Sequence, residues 1–209
     1  MRFNGIAPRD RCGCIAANVC PHAPPPPLSD ESRPSLASAS GRITLLGEVM
    51  NLRLIQPEDL SEIIEVRAST RENAFSRAAL RNLGITEEST AELLRTTHRG
   101  WLCEAEGRVV GFAIGDGKTG ELWVIAVLPE FEGRGVGLRL IDSVEGWLWS
   151  LGWQELWLWT SPDRQKRAYT FYLKGGWIVS ELKDGMLFMK KRRPNPEGRV
   201  TRAPTYNLD

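Results

Sequence analysis

The chain has 209 residues, 42% of them hydrophobic, and its 27 Lys and Arg against 26 Asp and Glu leave a net charge of +1. That supplies the core of one ordinary domain, excludes wholesale disorder, and leaves no broad basic surface for nucleic acid or an anionic membrane. No apolar run approaches the ~20 residues of a spanning helix, and no secretory signal is expected. Three of the four cysteines, Cys12, Cys14 and Cys20, fall within the first twenty residues, so only Cys103 is left for the folded part. That is no disulfide framework, and a reducing, cytoplasmic setting is expected.

Residues 1–49 hold seven of the 13 prolines, including the run Pro24 to Pro27, followed by the serine-rich stretch Ser35 to Ser40. Such a segment buries too little apolar surface to offset its ordering entropy, which predicts a disordered leader. Met50 opens the first clean strand pattern and is a candidate translation start. The pattern Cys12-x-Cys14…Cys20-x-His22 has metal-ligand residue types at a spacing that no standard zinc knuckle has, so no metal site is expected.

Asn51 to Ile55 alternates like a strand, and Pro57-Glu58-Asp59 suits the first turn of a helix reaching about Ser69. Ser76 and Thr86 are N-cap candidates, for a short helix and for a helix over Glu87 to Thr97. His98 then reads as a cation at that helix's C-terminal end. A meander of three strands follows, over 101–104, 109–114 and 121–127. A glycine-rich loop leads into a helix from Gly135 to about Ser150, with Leu140, Ile141, Val144, Trp147 and Leu148 at helical spacing and Arg139, Asp142 and Glu145 elsewhere on the wheel. A strand over Glu155–Thr160, a helix over Arg164–Leu173 and two strands near Trp177–Val179 and Met186–Lys190 close the domain. The strand–helix–strand unit from Glu121 to Thr160 implies parallel pairing by a right-handed crossover, so the class is a mixed α/β sheet spanning 50–190. Six bases against two acids in residues 190–209 predict a frayed basic tail over 191–209, and they leave a net −4 on residues 50–189.

The chemistry-bearing stretch is the apolar strand ending at Pro129, the loop with Gly133, Gly135 and Gly137, and the helix that starts at once. Glycines let a large ligand approach the backbone, and the free N–H groups and dipole of a helix N-terminus attract an anion. The loop lacks the Gly-Lys-Ser/Thr ending of a P-loop and the Gly-x-Gly-x-x-Gly spacing of a Rossmann unit. Taken alone, its glycines leave a tight turn as the lesser alternative.

The segment Glu132-Gly133-Arg134-Gly135-Val136-Gly137, after Ala126-Val127-Leu128-Pro129, resembles the pyrophosphate-binding motif Gln/Arg-x-x-Gly-x-Gly/Ala of the GNAT superfamily of acetyl-CoA-dependent N-acetyltransferases. Glu132 stands where Gln or Arg is usual. Ala168-Tyr169-Thr170-Phe171-Tyr172-Leu173-Lys174-Gly175-Gly176-Trp177 is similar to that family's Ala-x-x-Phe-Tyr-x-x-x-Gly-Phe segment, with Trp177 for the commoner Phe and Gln165 where an Asn often precedes. The resemblance spans about residues 50–190. It implies a mostly antiparallel GNAT-like sheet flanked by helices, with one parallel βαβ crossover. It implies acetyl-CoA as co-substrate, with Ile125, Ala126 and Val127 along the pantetheine arm. Gly133, Arg134, Gly135, Val136, Gly137 and Leu138 would lie at the pyrophosphate.

Acetyl transfer to an amine needs a deprotonated nitrogen, a polarised thioester and a proton for the departing thiolate. By the same resemblance Tyr172 is the proton donor, with Tyr169 as its alternative; the bland reading of Tyr172 is a core aromatic on the face shared with Ala168 and Phe171. Glu121 is the candidate base, or else an ordinary strand-end carboxylate after Gly120. Trp157 and Trp159 share one strand face and read as core, with Trp159 or Trp123 as candidate walls of an acceptor pocket. The expected partner is a small-molecule or peptide amine, drawn by the net −4, with no nucleic acid and no membrane; homodimerisation is left open. The competing function is a noncatalytic acyl-CoA-binding module.

Overall fold

The computed structural model describes residues 41–45, 48–72 and 75–194. The proline-rich leader before Gly41, with its Cys and His residues, and the tail from residue 195 lie outside the described residues. No helix among the described residues is long and apolar enough to cross a membrane.

Eight strands form one sheet: β1 Gly41–Leu45, β2 Glu48–Leu54, β3 His98–Ala105, β4 Arg108–Asp116, β5 Glu121–Val127, β6 Glu155–Thr160, β7 Ile178–Lys183 and β8 Met186–Arg192. Their order is β1-β2-β3-β4-β5-β6-β8-β7, and every neighbouring pair is antiparallel except β5 and β6. The helices are α1 Leu60–Ala68, α2 Arg77–Asn82, α3 Glu87–Thr96, α4 Val136–Ser150 and α5 Arg167–Lys174. The mixed α/β class, its mostly antiparallel sheet and its single parallel crossover through α4 are as expected.

Local chemistry starts these helices where their caps stand. Ser76 Oγ accepts the Ala79 N–H at 3.1 Å, and Thr86 and Ser89 exchange two bonds of 2.9 and 3.1 Å in a capping box. A 3-10 turn over Pro57–Asp59, with its proline at the first position, leads into α1.

Strand β4 sits at the centre, buried along almost its whole length because both its faces are covered. Phe112 and Ile114 project towards α1–α3. Gly111 and Gly115 face α4, where an added Cβ would meet Val136 at 3.2 Å and Val144 at 2.6 Å. Large residues on one face and glycines on the other let α4 pack down close to the sheet.

Four boundaries or environments differ from expectation. Among the described residues regular structure is present ahead of Met50: β1 pairs with β2 from Gly41↔Leu52 to Leu45↔Glu48, because Ile43 and Thr44 are strand formers that the proline- and serine-rich context hides. Strand β8 continues to Arg192 instead of fraying at residue 191, because its cations find carboxylates. Lys190 Nζ lies 3.0 Å and Arg192 Nε 3.5 Å from Glu155, and Lys191 Nζ lies 2.5 Å from Glu145. Glu145 is accordingly buried rather than on a solvated face, and it also accepts the Trp177 indole N–H at 2.9 Å. His98 opens β3 instead of capping α3, and its largely buried side chain lies 5.2 Å from the Trp123 ring. Burial lowers its pKa against the opposing pull of Asp116.

Candidate active site

Strands β5 and β6 pair only at the start of β5. Their pairing is confined to Glu121↔Trp157, with the Trp157 N–H donating to Gly120 O at 3.2 Å. Beyond that point the parallel strands diverge. The Leu128 N–H donates to Val110 O of β4 at 2.9 Å. Backbone alternation therefore turns Ala126 and Val124 towards β4, and Ile125 and Val127 towards the opening. A register shift between Ile114 and Gly115 leaves Trp123 without a counterpart on β4, so the strand bulges at the lip of the split.

The loop after β5 delivers α4 to the same place. A 3-10 turn over Pro129–Phe131 is followed by Gly133 and Gly135, both left-handed at φ 76° and 86°. Side chains rarely adopt that conformation. Helix α4 has Gly135 as its N-cap, no side-chain capping bond and no acid in its first turn. Its first intrahelical rung is the Arg139 N–H on Gly135 O at 3.2 Å. The N–H groups of Val136, Gly137 and Leu138 thus have no helical acceptor, at the positive end of the dipole.

Gly137 is the point of closest approach. A Cβ there would lie 3.3 Å from the Phe171 ring and 3.8 Å from Val127 Cγ2. The glycine lets the end of β5, the start of α4 and the aromatic pair of α5 meet. Tyr172, next to Phe171, is buried, with its ring edge-on to Phe171 at 5.4 Å and to Trp177 at 6.2 Å. Burial pushes its phenol up to about 12, and the Arg67 guanidinium opposes that shift.

Two charged residues of the loop are already engaged. Arg134 stacks over the Phe131 ring at 4.9 Å. Glu132 forms an ion pair with Arg167 at the start of α5 and lies 3.8 Å from Arg71. Glu72 in turn accepts the Arg167 N–H at 3.0 Å. Glu132 therefore binds the segment after α1 and the start of α5 to the glycine loop.

Glu121 lies at the far end of β5 from Val127. It is only 6% exposed and its Oε1 has no hydrogen-bond partner. Burial, with Asp116 facing it across the β4–β5 register, raises the carboxyl to about 8, against a side-chain hydrogen bond with Trp159. Asp116 itself holds the following turn, accepting from the Lys118 N–H and the Thr119 hydroxyl at 2.8 Å each.

The structure thus gathers Val127, the loop glycines, Val136, Gly137 and Phe171-Tyr172 at one end of β5, and sets Glu121, Asp116, Trp159 and His98 around the other. Sequence reasoning missed Asp116 and Arg67 as neighbours of the two candidate catalytic groups. Only pairing and packing bring them to Glu121 and Tyr172.

The sequence profile described as the Acetyltransferase (GNAT) family matches residues 60–177. Among solved structures, the PaiA N-acetyltransferase of Thermoplasma acidophilum in complex with coenzyme A is similar over 69% of this chain and 99% of its own, at 19% identity and a TM-score of 0.61. The ribosomal-protein-S18-alanine N-acetyltransferase of Escherichia coli aligns over 72% of this chain and 99% of its own, at 18% identity and a TM-score of 0.55. Ard1 of Thermoplasma volcanium aligns over 70% and 99%, at 17% identity and a TM-score of 0.55. At such identities the likeness is one of fold. No curated protein matches the sequence.

Proposed function

The chain belongs to the GNAT acetyltransferase family, and from that premise we propose that it moves an acetyl group from acetyl-CoA to a primary amine by direct attack in a ternary complex. The observation that carries this is the junction of an uncapped α4 N-terminus with the open edge of β5. Backbone groups of Ile125 and Val127 extend the sheet to a pantetheine arm, past Ala126. The amides from Gly133 to Leu138 receive the pyrophosphate, with Arg134 beside them. Coenzyme A is what the Thermoplasma acidophilum neighbour holds.

In the transfer the amine nitrogen forms a bond to the thioester carbonyl carbon, and the carbon–sulfur bond breaks with its electron pair on sulfur. The nitrogen's surplus proton goes to Glu121, directly or through water. The thiolate takes the phenolic proton of Tyr172. A phenol near 12 is fully protonated at neutral pH and so always has that proton to give. Giving it to a thiolate of pKa ~8.5 is uphill, and the nearby Arg67 cation eases it by stabilising the phenolate.

The noncatalytic alternative drew its support from Glu132 in the motif's first position. Ion pairs with Arg167 and Arg71 neutralise that carboxylate, so it presents no bare charge to a phosphate.

Release of free CoA from acetyl-CoA in the presence of an amine panel separates the two functions, since a binding module yields none. Tyr172→Phe keeps the ring packing and removes the hydroxyl. Its kcat should fall by roughly 10²–10⁴-fold, the usual contribution of a positioned acid, while acetyl-CoA affinity and Tm change little. A variant with near-normal kcat would make Tyr172 a packing residue and transfer the role to Tyr169 or water.

A further inference from the structure

The net −4 of residues 50–189 favours a cationic acceptor on composition alone. The cavity beside the β5–β6 split favours something else. It lies between α1, α2 and α3 on one side and β4, β5 and β6 on the other, with a volume of about 120 Å³. Phe75, Phe112, Trp123 and Trp159 supply its aromatic walls, and aliphatic side chains from α1, α2 and the α2–α3 connection supply most of the rest. Among the described residues no carboxylate lines it, and its polar lining side chains, indoles aside, are Thr90 and Arg67.

Three observations restrict the occupant. An apolar cavity of ~150 Å³ stays dry and holds benzene, so one of this size takes a single ring or a branched chain of four or five carbons. Arg67, whose guanidinium stacks 5.0 Å from the Phe75 ring centroid, puts a positive charge on the wall, and burial lowers its pKa. A second ammonium group on the occupant would have to leave water for a wall that, among the described residues, offers it no carboxylate, and an unpaired buried charge is costly. Finally, Trp123 and Trp159 stand on the two strands that part company, and Trp159 shares a hydrogen bond with Glu121. A body seated in this cavity therefore keeps its amino group at the split, close to the candidate base.

Resting on the acetyltransferase function proposed above, we infer that the acceptor is a monoamine with a small apolar body, a benzene-sized ring or a branched aliphatic chain, seated in this cavity, and that amines with a second positive charge are excluded. Several of the acids behind the net −4 are engaged away from the cavity. Asp59 and Glu104 are bound to Arg53, Glu145 to Lys191, and Glu155 to Lys190.

The test uses the full chain with two independent readouts: calorimetric binding of each amine in the presence of CoA, and thiol release from acetyl-CoA. The panel is phenethylamine, isoamylamine, spermidine, kanamycin and a peptide with an N-terminal alanine. The two apolar monoamines should bind, and their kcat/KM should exceed that of the others at least tenfold. Ile85→Trp, which fills the cavity from its helical side, should raise KM for phenethylamine at least tenfold and leave acetyl-CoA affinity unchanged, with a melting curve to establish folding. Preferred turnover of spermidine, kanamycin or the peptide would overturn the inference while leaving acetyl transfer standing. Apolar amines that bind, and lose binding in Ile85→Trp, without thiol release from any amine would sustain the cavity's ligand class and overturn acetyl transfer. Absence of apolar-amine binding overturns the inference whatever the turnover.

Discussion

Glu121 is a carboxyl group that its surroundings keep protonated at neutral pH, and a base must give up that proton before it can act. Burial and the neighbouring Asp116 raise it to about 8. Activity should therefore rise with pH through about 8, and Glu121→Gln should remove that limb together with most of kcat. The same shift acts on stability. A carboxyl with a folded-state pKa above its unfolded value holds its proton more tightly when folded. Its favourable contribution is complete below the unfolded value of ~4.3 and is lost as pH rises through the folded value near 8. Glu121→Gln, which cannot ionise, should melt higher than the parent at pH 9, and the difference should shrink as pH falls towards 5. A difference independent of pH, measured by thermal unfolding across that range, would show that Glu121 does not titrate in the folded protein.

Among the elements, α4 has an N-terminus bare of capping side chains, and its anchorage comes from further along. Part of that is apolar, through Leu140, Ile141, Val144 and Leu148 on the sheet. Part is the buried Glu145, which joins α4 to β8 through Lys191 at 2.5 Å and to Trp177 at 2.9 Å. Burial raises the Glu145 carboxyl, and the Lys191 hydrogen bond opposes that shift. Removing one member of such a pair strands the other charge away from water. Glu145→Ala should cost about 3 kcal/mol or more in denaturant unfolding, with an unchanged m value. A loss below ~1 kcal/mol, as for an exposed pair, would show that Lys191 reaches solvent when its partner is gone.

For the whole molecule the sheet's first edge is the open structural question, because β1 and the first residues of β2 precede Met50. A chain beginning at Met50 loses all of β1 and leaves β2 as an unprotected edge over a core that includes the fully buried Met50 side chain. Compared with a chain beginning at Gly41, its Tm should be lower by a few degrees, since ~1 kcal/mol corresponds to roughly 2–4 °C at this size. Equal melting temperatures would return the domain boundary to Met50.

By itself the sequence determined the helices, their caps, the βαβ unit and the cofactor-loop candidate, because each rests on near-neighbour chemistry. Ser76 and Thr86 cap within three residues, α4 shows its apolar period within one helix, and the glycines announce left-handed turns at Gly133 and Gly135. Tertiary structure alone decided the environments that depend on residues distant along the chain. Glu145 became buried because Lys191 and Trp177 arrive from the far end of the domain, and residues 190–192 became strand because Glu145 and Glu155 wait for them. Glu121 acquired its raised pKa from Trp159, Asp116 and the packing that closes water out. The cavity beside the split is the extreme case: its walls come from α1 to α3 with their connections and from three strands, and nothing in the composition of the chain announces it. Local propensity is written in adjacent residues, whereas burial and electrostatics belong to whichever groups folding brings within a few ångströms.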